Sequence, residues 1–165
     1  PYNQDKWIAS EGEDLFRRGV YTFWRRSAPY PSFVNFDALS REGCTVKRES
    51  TNTPLQALTT LNDESFFRAA RALARRMIEA ESTAEARITI GFRRALVRRP
   101  TPNEIIRLCD YYEKEAVRFA ADEAEAKKVV KSEIPFIEGA TFAECAAMTM
   151  VANVILSLDE AITVE

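Results

Sequence analysis

The sequence contains no histidine in 165 residues, so it lacks the side chain that proteins use most often for acid–base chemistry near neutral pH. Histidine is also the commonest metal ligand and the usual proximal ligand of haem. Catalytic triads with a histidine base are therefore excluded. Glycine is scarce, at five residues, and no low-complexity linker divides the chain.

Cysteine is almost as rare, with Cys44, Cys109 and Cys145 widely spaced. They match neither a Cys-x-x-Cys redox motif nor a zinc framework, and at most one internal disulfide can form. Whether Cys44 is bridged stays open, whereas Cys109 and Cys145 lie in predicted helices, where buried cysteine is usually an apolar filler. No Cys-x-x-Cys-His motif occurs, so this segment cannot attach haem covalently. We predict no metal or cofactor in this chain and leave haem to an associated module or subunit.

Long apolar runs are also absent, and no stretch reaches the ~18 residues that a membrane-spanning helix needs. Charge is divided: residues 1–100 carry 17 Lys and Arg against 12 Asp and Glu, and residues 101–165 carry 6 against 13. The first part therefore has a net charge of +5 and the second of −7. This division indicates that the two parts attract each other, or a neighbouring domain, across solvated helix faces, and a basic binding face is the alternative. The pI near 5.5 and the lack of a nucleic-acid motif predict no nucleic-acid partner.

Helix-start motifs recur along the chain. In a capping box, a Ser or Thr side chain accepts a hydrogen bond from a free backbone N–H, and a Glu or Gln three residues later bonds back to the cap. Five stretches fit this pattern: Ser10 to Glu13, Thr53 to Gln56, Ser82 to Glu85, Thr101 to Glu104 and Thr141 to Glu144. Asp63 is a sixth candidate cap, and Pro54 and Pro102 supply a preset first helical position. The repetition predicts a helical protein.

Apolar residues repeat at helical spacing near these caps, and each apolar face requires a partner. Two such faces lie early in the chain: Phe16, Val20, Phe23 and Trp24, then Leu55, Leu58 and Leu61. A further helix is predicted from about residue 102 into the 120s, and residues 121–131 either prolong it or form a solvated connection. The last helix, after Thr141, is the most apolar and is predicted to be the central packing element.

We therefore predict an all-α fold, a helical bundle of five to six helices with one long irregular segment at about residues 28–52. Evidence for a strand is confined to residues 44–47. Residues 1–9 are predicted to be an N-terminal tether, and residues 10–165 a single helical domain. The chain opens on Pro1 without an initiator Met, so we expect a fragment or subunit of a larger protein or assembly.

The most individual part of the sequence lies between residues 17 and 63. It holds Arg-Arg-Gly-Val-Tyr-Thr-Phe-Trp-Arg-Arg at 17–26, Phe-Asp-Ala at 36–38, Arg-Glu-Gly-Cys-Thr-Val at 41–46 and Thr-Asn-Thr-Pro-Leu-Gln-Ala-Leu at 51–58, with Ser-Leu-Asp-Glu later at 157–160. In this order the motifs resemble the uncharacterised C-terminal domain of planctomycete-type cytochrome-c-associated exported proteins. The resemblance implies a periplasmic or extracellular location and a c-type cytochrome module elsewhere in the parent protein, but no reaction.

Polar residues of this region fit a structural role. Two acids and two arginines fall in the irregular segment: Asp37, Glu42, Arg41 and Arg48. Because the backbone of an irregular segment must find hydrogen-bond partners, we favour a buried polar network that holds the segment on the helices. Asn52 and Gln56 then close turns, and Trp24 packs beneath with neighbouring aromatic residues.

The alternative interpretation is a cleft for a polar ligand such as a sugar, with Trp24 or Tyr30 as a stacking platform. The candidate ligand- or partner-binding residues are Trp24, Arg25, Arg26, Arg41, Arg48, Asn52 and Gln56. For hydrolysis, Asp37 and Glu42 are the candidate acid and base, since a glycosidase holds two carboxylates ~5 to 10 Å apart. Acids among arginines are more often ion-paired than catalytic, so no catalytic residue is assigned.

Taken together, these observations predict a non-catalytic interaction or scaffold domain, and the family resemblance implies that it belongs to an exported, cytochrome-linked electron-transfer assembly. Its expected partners are other domains or subunits of that parent assembly. A carbohydrate-binding or carbohydrate-active domain, with a polysaccharide as ligand, is the alternative. Whether this segment is an enzyme is left open, with the balance against it.

Overall fold

The computed structural model describes residues 7–8, 10–25, 28–40, 42–47, 51–131 and 139–163. These residues form eight α-helices and two short 3-10 turns, and they include no β-strand. The helices are α1 (Pro31–Asn35), α2 (Pro54–Asn62), α3 (Glu64–Ala80), α4 (Ala84–Ala95), α5 (Pro102–Ala121), α6 (Glu123–Val130), α7 (Phe142–Leu156) and α8 (Asp159–Ile162). The prediction of an all-α bundle is confirmed, and six of these helices, α2 to α7, have eight or more residues.

The chain divides into two compact units, Pro1–Thr51 and Asn52–Glu165. The first holds the two 3-10 turns and α1, and the second holds α2 to α8. The assignment of residues 10–165 to a single domain stays a prediction.

Helix α7 is the centre of the second unit. It carries nine buried residues and packs against α3, α4, α5 and α6. Its buried side chains lie all around the helix rather than on one stripe, which is typical of a helix enclosed by others. The largest fully buried side chains that surround or belong to it are Met77, Ile88, Phe92, Phe119, Met148, Val151 and Ile155. The prediction that the last long helix is the central packing element is confirmed.

Three predicted capping boxes are present, at Thr53, Thr101 and Thr141. In each, the threonine side chain accepts from the N–H three residues later and the Gln or Glu there bonds the threonine N–H. Asp63 caps α3 by accepting from the N–H of Ser65 at 2.8 Å. Thr53, Asp63, Thr101 and Thr141 therefore determine where four of the long helices begin.

Two predicted caps are wrong. Helix α4 is capped by Thr83 rather than Ser82, because the Thr83 side chain accepts from the N–H of Ala86. No capping box forms there, because Ala86 has no side-chain group that could accept a hydrogen bond from the N–H of Thr83. Ser10 does not cap an α-helix either, because Gly12 has a φ of 61° and opens a 3-10 turn, Gly12–Phe16. A left-handed residue at this point is incompatible with the first turn of an α-helix.

The predicted apolar face of Phe16, Val20, Phe23 and Trp24 is also wrong as a helix face. Two separate 3-10 turns, Gly12–Phe16 and Gly19–Tyr21, replace the expected α-helix, and Arg18 between them is extended. Glycine within a helix costs about 0.5 to 1 kcal/mol relative to alanine, which disfavours a continuous helix through Gly19. Val20 and Phe23 are consequently 66% and 73% exposed.

The irregular segment at residues 28–52 contains one short helix, α1, and is otherwise without regular structure where it is described. The strand predicted at residues 44–47 is absent. These residues are exposed, and no other strand of the described chain is present to pair with them.

Further along the chain, the helix predicted from residue 102 into the 120s is confirmed as α5. Residues 121–131 do not prolong it but form α6, because Asp122 accepts from the N–H of Glu125 at 3.0 Å and starts a new helix.

All three cysteines are free. Cys145 is buried in the core and the half-buried Cys109 packs against that core, as predicted for apolar fillers. Cys44 is exposed and forms no disulfide bond.

Gly91 lies where α4 packs closely against Met77 and Ile155. A Cβ atom there would lie 2.9 Å from Cε of Met77 and 3.0 Å from Cδ1 of Ile155, and both side chains are fully buried. We expect Gly91→Val to lower the free energy of unfolding by about 1 to 3 kcal/mol through overpacking. Urea unfolding followed by circular dichroism measures this. Arg94→Val, at an exposed position of the same helix, is the control for the β-branched side chain, and an equal loss there would contradict the packing explanation.

Candidate functional site

An aromatic cluster organises the first unit. The rings of Trp24 and Phe33 stack with centroids 5.6 Å apart and planes at 17°. Tyr30 meets Phe33 edge-on at 5.5 Å and Trp7 edge-on at 5.4 Å. The guanidinium of Arg25 lies 4.6 Å from the centroid of the Trp7 ring. The cluster therefore combines ring packing with a cation–π contact, and it uses Trp24, Arg25 and Tyr30 to hold the unit together.

A hydrogen bond and a close backbone contact add to the packing of this cluster. The indole N–H of Trp7 donates to the carbonyl oxygen of Ala28 at 3.1 Å. Gly19 faces the ring of Phe33, where a Cβ atom would come within 3.0 Å of the ring. A glycine at this position therefore allows the turn to approach Phe33 closely.

Asp37 closes the loop that follows α1. Its Oδ2 accepts from both the backbone N–H and the side-chain hydroxyl of Thr51, each at 2.8 Å. Asp37 has a φ of 55°, the left-handed conformation that aspartate tolerates better than most residues. Glu42 is exposed, and its backbone N–H donates to the side chain of Ser40 at 3.4 Å. The two candidate carboxylates thus have different surroundings, and only Asp37 holds the loop.

Three candidate binding residues, Arg26, Arg41 and Arg48, lie outside the described residues. The roles predicted for them in a polar network or a ligand cleft stay predictions.

Asn52 and Gln56 belong to the second unit, and both make structural hydrogen bonds. The amide of Asn52 donates to Oδ1 of Asp159 at 2.9 Å, which joins residues 107 positions apart. Gln56 is buried, and its Oε1 accepts from the N–H of Thr53 at 3.0 Å. These bonds tie α8 and the start of α2 into the bundle.

A network around Arg98 was not predicted from the sequence. Its guanidinium makes two 2.7 Å bonds to the carboxylate of Glu160 and two bonds, of 2.7 and 3.0 Å, to Glu104. The same guanidinium lies 5.1 Å from the ring centroid of Phe92. Arg98 therefore connects the end of α4, the start of α5 and α8. The only sequence signals were the capping box of Glu104 and the Asp-Glu pair at 159–160, and neither identifies Arg98 as the partner.

The Arg98 network changes the acid–base properties of its carboxylates. Hydrogen bonds from Arg98, followed by those from Thr101, lower the pKa of Glu104 from 4.5 to about 2. The hydrogen bonds from Arg98 also lower the pKa of Glu160. Both carboxylates are thus held ionised, which suits a structural ion pair and not a general acid.

The leucine face of α2, formed by Leu55, Leu58 and Leu61, points outward. These leucines are 53%, 58% and 42% exposed, whereas Gln56 and Thr60 on the opposite side of the helix are 3% and 1% exposed. The helix is therefore inverted relative to an ordinary amphipathic helix, whose apolar side faces the core. Among the residues that the structure describes, none covers the leucine face.

The buried polar side of α2 is accommodated by local hydrogen bonds. The hydroxyl of Thr60 donates to the carbonyl oxygen of Ala57 at 2.9 Å. The amide of Asn153, buried on α7, donates to the carbonyl oxygen of Leu61 at 3.2 Å. Oδ1 of Asn153 has no hydrogen-bond partner among the described residues. These contacts fix the rotation of α2, and that rotation turns the leucine face outward.

The described residues include neither a metal-binding cluster nor a helix that could span a membrane. No cluster of three or more cysteine, aspartate or glutamate residues is arranged to hold a metal ion. None of the described helices combines the length and the apolar character that crossing a membrane requires.

Comparison with known families identifies one match. Residues 1–112 match the family model described as PSD1, protein of unknown function (DUF1553), which is more than half of the 165-residue chain. Curated proteins and solved structures provide no match. The matched span includes the aromatic cluster, Asp37, α2 and Arg98, but not α8.

Asp37 and Glu42 allow a test of structural against catalytic roles. We expect Asp37→Asn to lower the melting temperature by several degrees, because neutral hydrogen bonds to Thr51 replace charge-assisted ones that are roughly twice as strong. Glu42→Gln, the matched control at an exposed position, should melt like the wild type. Differential scanning calorimetry measures both. If both variants keep the wild-type melting temperature and abolish turnover of a polysaccharide, the structural assignment of Asp37 is wrong.

The Arg98 network predicts a pH dependence of stability. Because the folded-state pKa of Glu104 lies below its ordinary value, its contribution is complete above about pH 4.5 and is lost as the pH falls toward 2. Urea unfolding at several pH values should therefore show a steeper loss for the wild type than for Glu104→Gln. Glutamine still completes a capping box, so at pH 7 this variant should lose only about 1 kcal/mol, since the pair is about one-third exposed. An equal pH dependence of the free energy of unfolding in the wild type and in Glu104→Gln would contradict the stabilising role assigned to the ionised Glu104.

Proposed function

The chain belongs to the PSD1 family of proteins of unknown function (DUF1553), and we propose that it is a non-catalytic interaction domain that binds its partner through the leucine face of α2. One observation carries the proposal: Leu55, Leu58 and Leu61 are about half exposed while the polar side of the same helix is buried. Burying a leucine side chain stabilises a protein by about 1.5 to 3 kcal/mol, so this outward face forgoes a large gain unless a partner covers it.

The partner's chemistry follows from the composition of α2. The helix Pro54–Asn62 contains no charged residue, and its three leucines repeat at every third position. This spacing suits an apolar helix or groove of the partner, as in helix-in-groove recognition. An uncharged, apolar surface fits this face better than a charged one.

The size of the leucine face favours a partner within the same assembly. Stable association of separate proteins buries roughly 800 Å² on each partner, and three half-exposed leucines supply only part of that area. Contacts between domains of one assembly are smaller and benefit from a high effective concentration. The proposed occupant is therefore another domain or subunit of the parent assembly, and a second copy of this chain is disfavoured.

The candidate site residues also support a non-catalytic role. Asp37 is bonded to Thr51, Asn52 to Asp159 and Gln56 to Thr53. Trp24 stacks on Phe33 within the aromatic cluster. Each of these contacts has a structural use. The carbohydrate-binding alternative stays a prediction, and the Asp37 and Glu42 variants test it.

The setting of the domain is a further part of the proposal. The motif order at residues 17–63 and 157–160 resembles the C-terminal domain of planctomycete-type cytochrome-c-associated exported proteins. On this basis we place the domain outside the cytoplasm, in an electron-transfer assembly whose haem is held by another module.

A photo-crosslinking amino acid at position 58 tests the proposal in the native cell envelope. We expect it to cross-link to an apolar surface of another domain or subunit, identified by mass spectrometry, and haem staining of that product tests the cytochrome link. The triple variant Leu55→Gln, Leu58→Gln, Leu61→Gln should release that partner from a pull-down. Its melting temperature should stay within a few degrees of the wild type because the three side chains are exposed.

The matched control is Ile106→Gln with Val117→Gln, which removes exposed apolar side chains from α5. This variant should retain the partner. Loss of the partner in both variants, or a cross-link confined to this chain, would contradict the assignment of the leucine face.

A further inference from the structure

A second surface, separate from the leucine face, lies where α4 ends. Residues 86–103 contain five arginines and no acidic residue, which is the strongest single-sign stretch of this length in the described chain. Two of the five arginines are used internally. Arg98 binds Glu104 and Glu160, and Arg87 donates to the carbonyl oxygen of Glu81 at 2.8 Å.

The other three, Arg93, Arg94 and Arg99, are exposed, and none of them forms an ion pair with a carboxylate of the described residues. We call these three residues with Val97 the arginine patch. Positive charge in the last turn of a helix is favoured by the helix dipole, which accounts for Arg93 and Arg94. It does not account for Arg99, which lies beyond the helix.

Val97, which lies between Arg94 and Arg99 in the sequence, has an unusual backbone conformation. Its side chain is 90% exposed and its φ is 58°, in the left-handed region. The position directly after a helix cap is usually glycine, because a side chain there costs roughly 1 to 2 kcal/mol. A β-branched residue is a particular outlier in this conformation. Such strain is found mainly at functional sites, and here it accompanies an exposed apolar side chain in an arginine-rich stretch of the sequence.

We propose that the arginine patch binds an acidic segment of a partner protein, in which an apolar side chain lies among carboxylates. Arginine forms planar, bidentate pairs with carboxylates, and Arg93, Arg94 and Arg99 are all arginine rather than lysine. Val97 supplies the apolar contact that a polysaccharide or the phosphates of a nucleic acid would not use. The acidic half of a second copy is also complementary in charge, but a head-to-tail contact of that kind would build a ring or an open filament. Size-exclusion chromatography that shows such assembly at low salt would overturn the proposal in favour of self-association.

Binding of a model peptide to the intact chain tests this proposal. The probe is a fluorescein-labelled 12-residue peptide of Glu-Glu-Leu repeats, measured by anisotropy at low and at physiological salt. Poly-L-glutamate, heparin and single-stranded DNA are the comparison ligands. We expect the peptide to bind more tightly than the other three, with an affinity that falls as salt rises. Tighter binding of heparin or DNA would overturn the proposal in favour of a polyanion site.

Charge-reversing variants test the contribution of the three arginines to peptide binding. The triple variant Arg93→Glu, Arg94→Glu, Arg99→Glu should weaken peptide binding at least about tenfold. The control Lys114→Glu, Lys127→Glu, Lys128→Glu changes net charge equally at exposed positions on α5 and α6 and should change binding less than about twofold. An equal loss in the control would overturn the assignment. If the triple variant unfolds α4, Arg99→Glu alone, outside the helix, should still weaken binding about threefold.

Val97→Gly tests the contribution of the Val97 side chain to peptide binding. Glycine adopts a φ of 58° without a steric penalty, so the melting temperature should not fall. Binding of the leucine-containing peptide should weaken about threefold while binding of poly-L-glutamate stays unchanged. Unchanged peptide binding would show that Val97 takes no part in recognition and overturn the apolar component of the proposal.

Discussion

Burial of α7 is the constraint on which the second unit depends. Nine of its fifteen residues are buried and no face of this helix is suited to water. It is therefore stable only when other helices cover it, and α3, α4, α5 and α6 do so. Gly91 allows α4 to approach closely, next to Met77 and Ile155. The outer helices bury one side against this centre and expose the other, so their orientation determines which surfaces the protein offers to partners.

The outward surfaces follow from that arrangement. Helix α2 places Gln56 and Thr60 inward, near the buried amide of Asn153, and the three leucines consequently face out. Near the end of α4, Arg98 forms ion pairs with Glu104 and Glu160, whereas Arg93, Arg94 and Arg99 are exposed to solvent. An apolar face and a basic patch thus lie on different elements of the same unit. Two surfaces of different chemistry are consistent with a domain that joins other components.

Several of the motif residues that resemble an active site in the sequence make structural contacts in the fold. Asp37 binds Thr51 across a loop, Asn52 binds Asp159 across 107 residues, and Glu160 binds Arg98 across 62. Polar residues that anchor irregular segments and short helices form the same kinds of hydrogen bonds as catalytic residues do. Their abundance between residues 17 and 63 therefore identifies the family more directly than it identifies a reaction.

By itself, the sequence determined the all-α class, the central role of the last long helix and the starts of α2, α3, α5 and α7. These follow from local physics, since a cap such as Thr101 bonds within three residues and apolar periodicity is read along one helix. The short 3-10 turns at Gly12 and Gly19 were missed because glycine permits several backbone conformations. Only the tertiary structure decided that Arg98 pairs with Glu160 and that the leucine face of α2 points outward. The sequence could not show either, because pairing and burial depend on neighbours that are distant along the chain and on the rotation of each helix against α7.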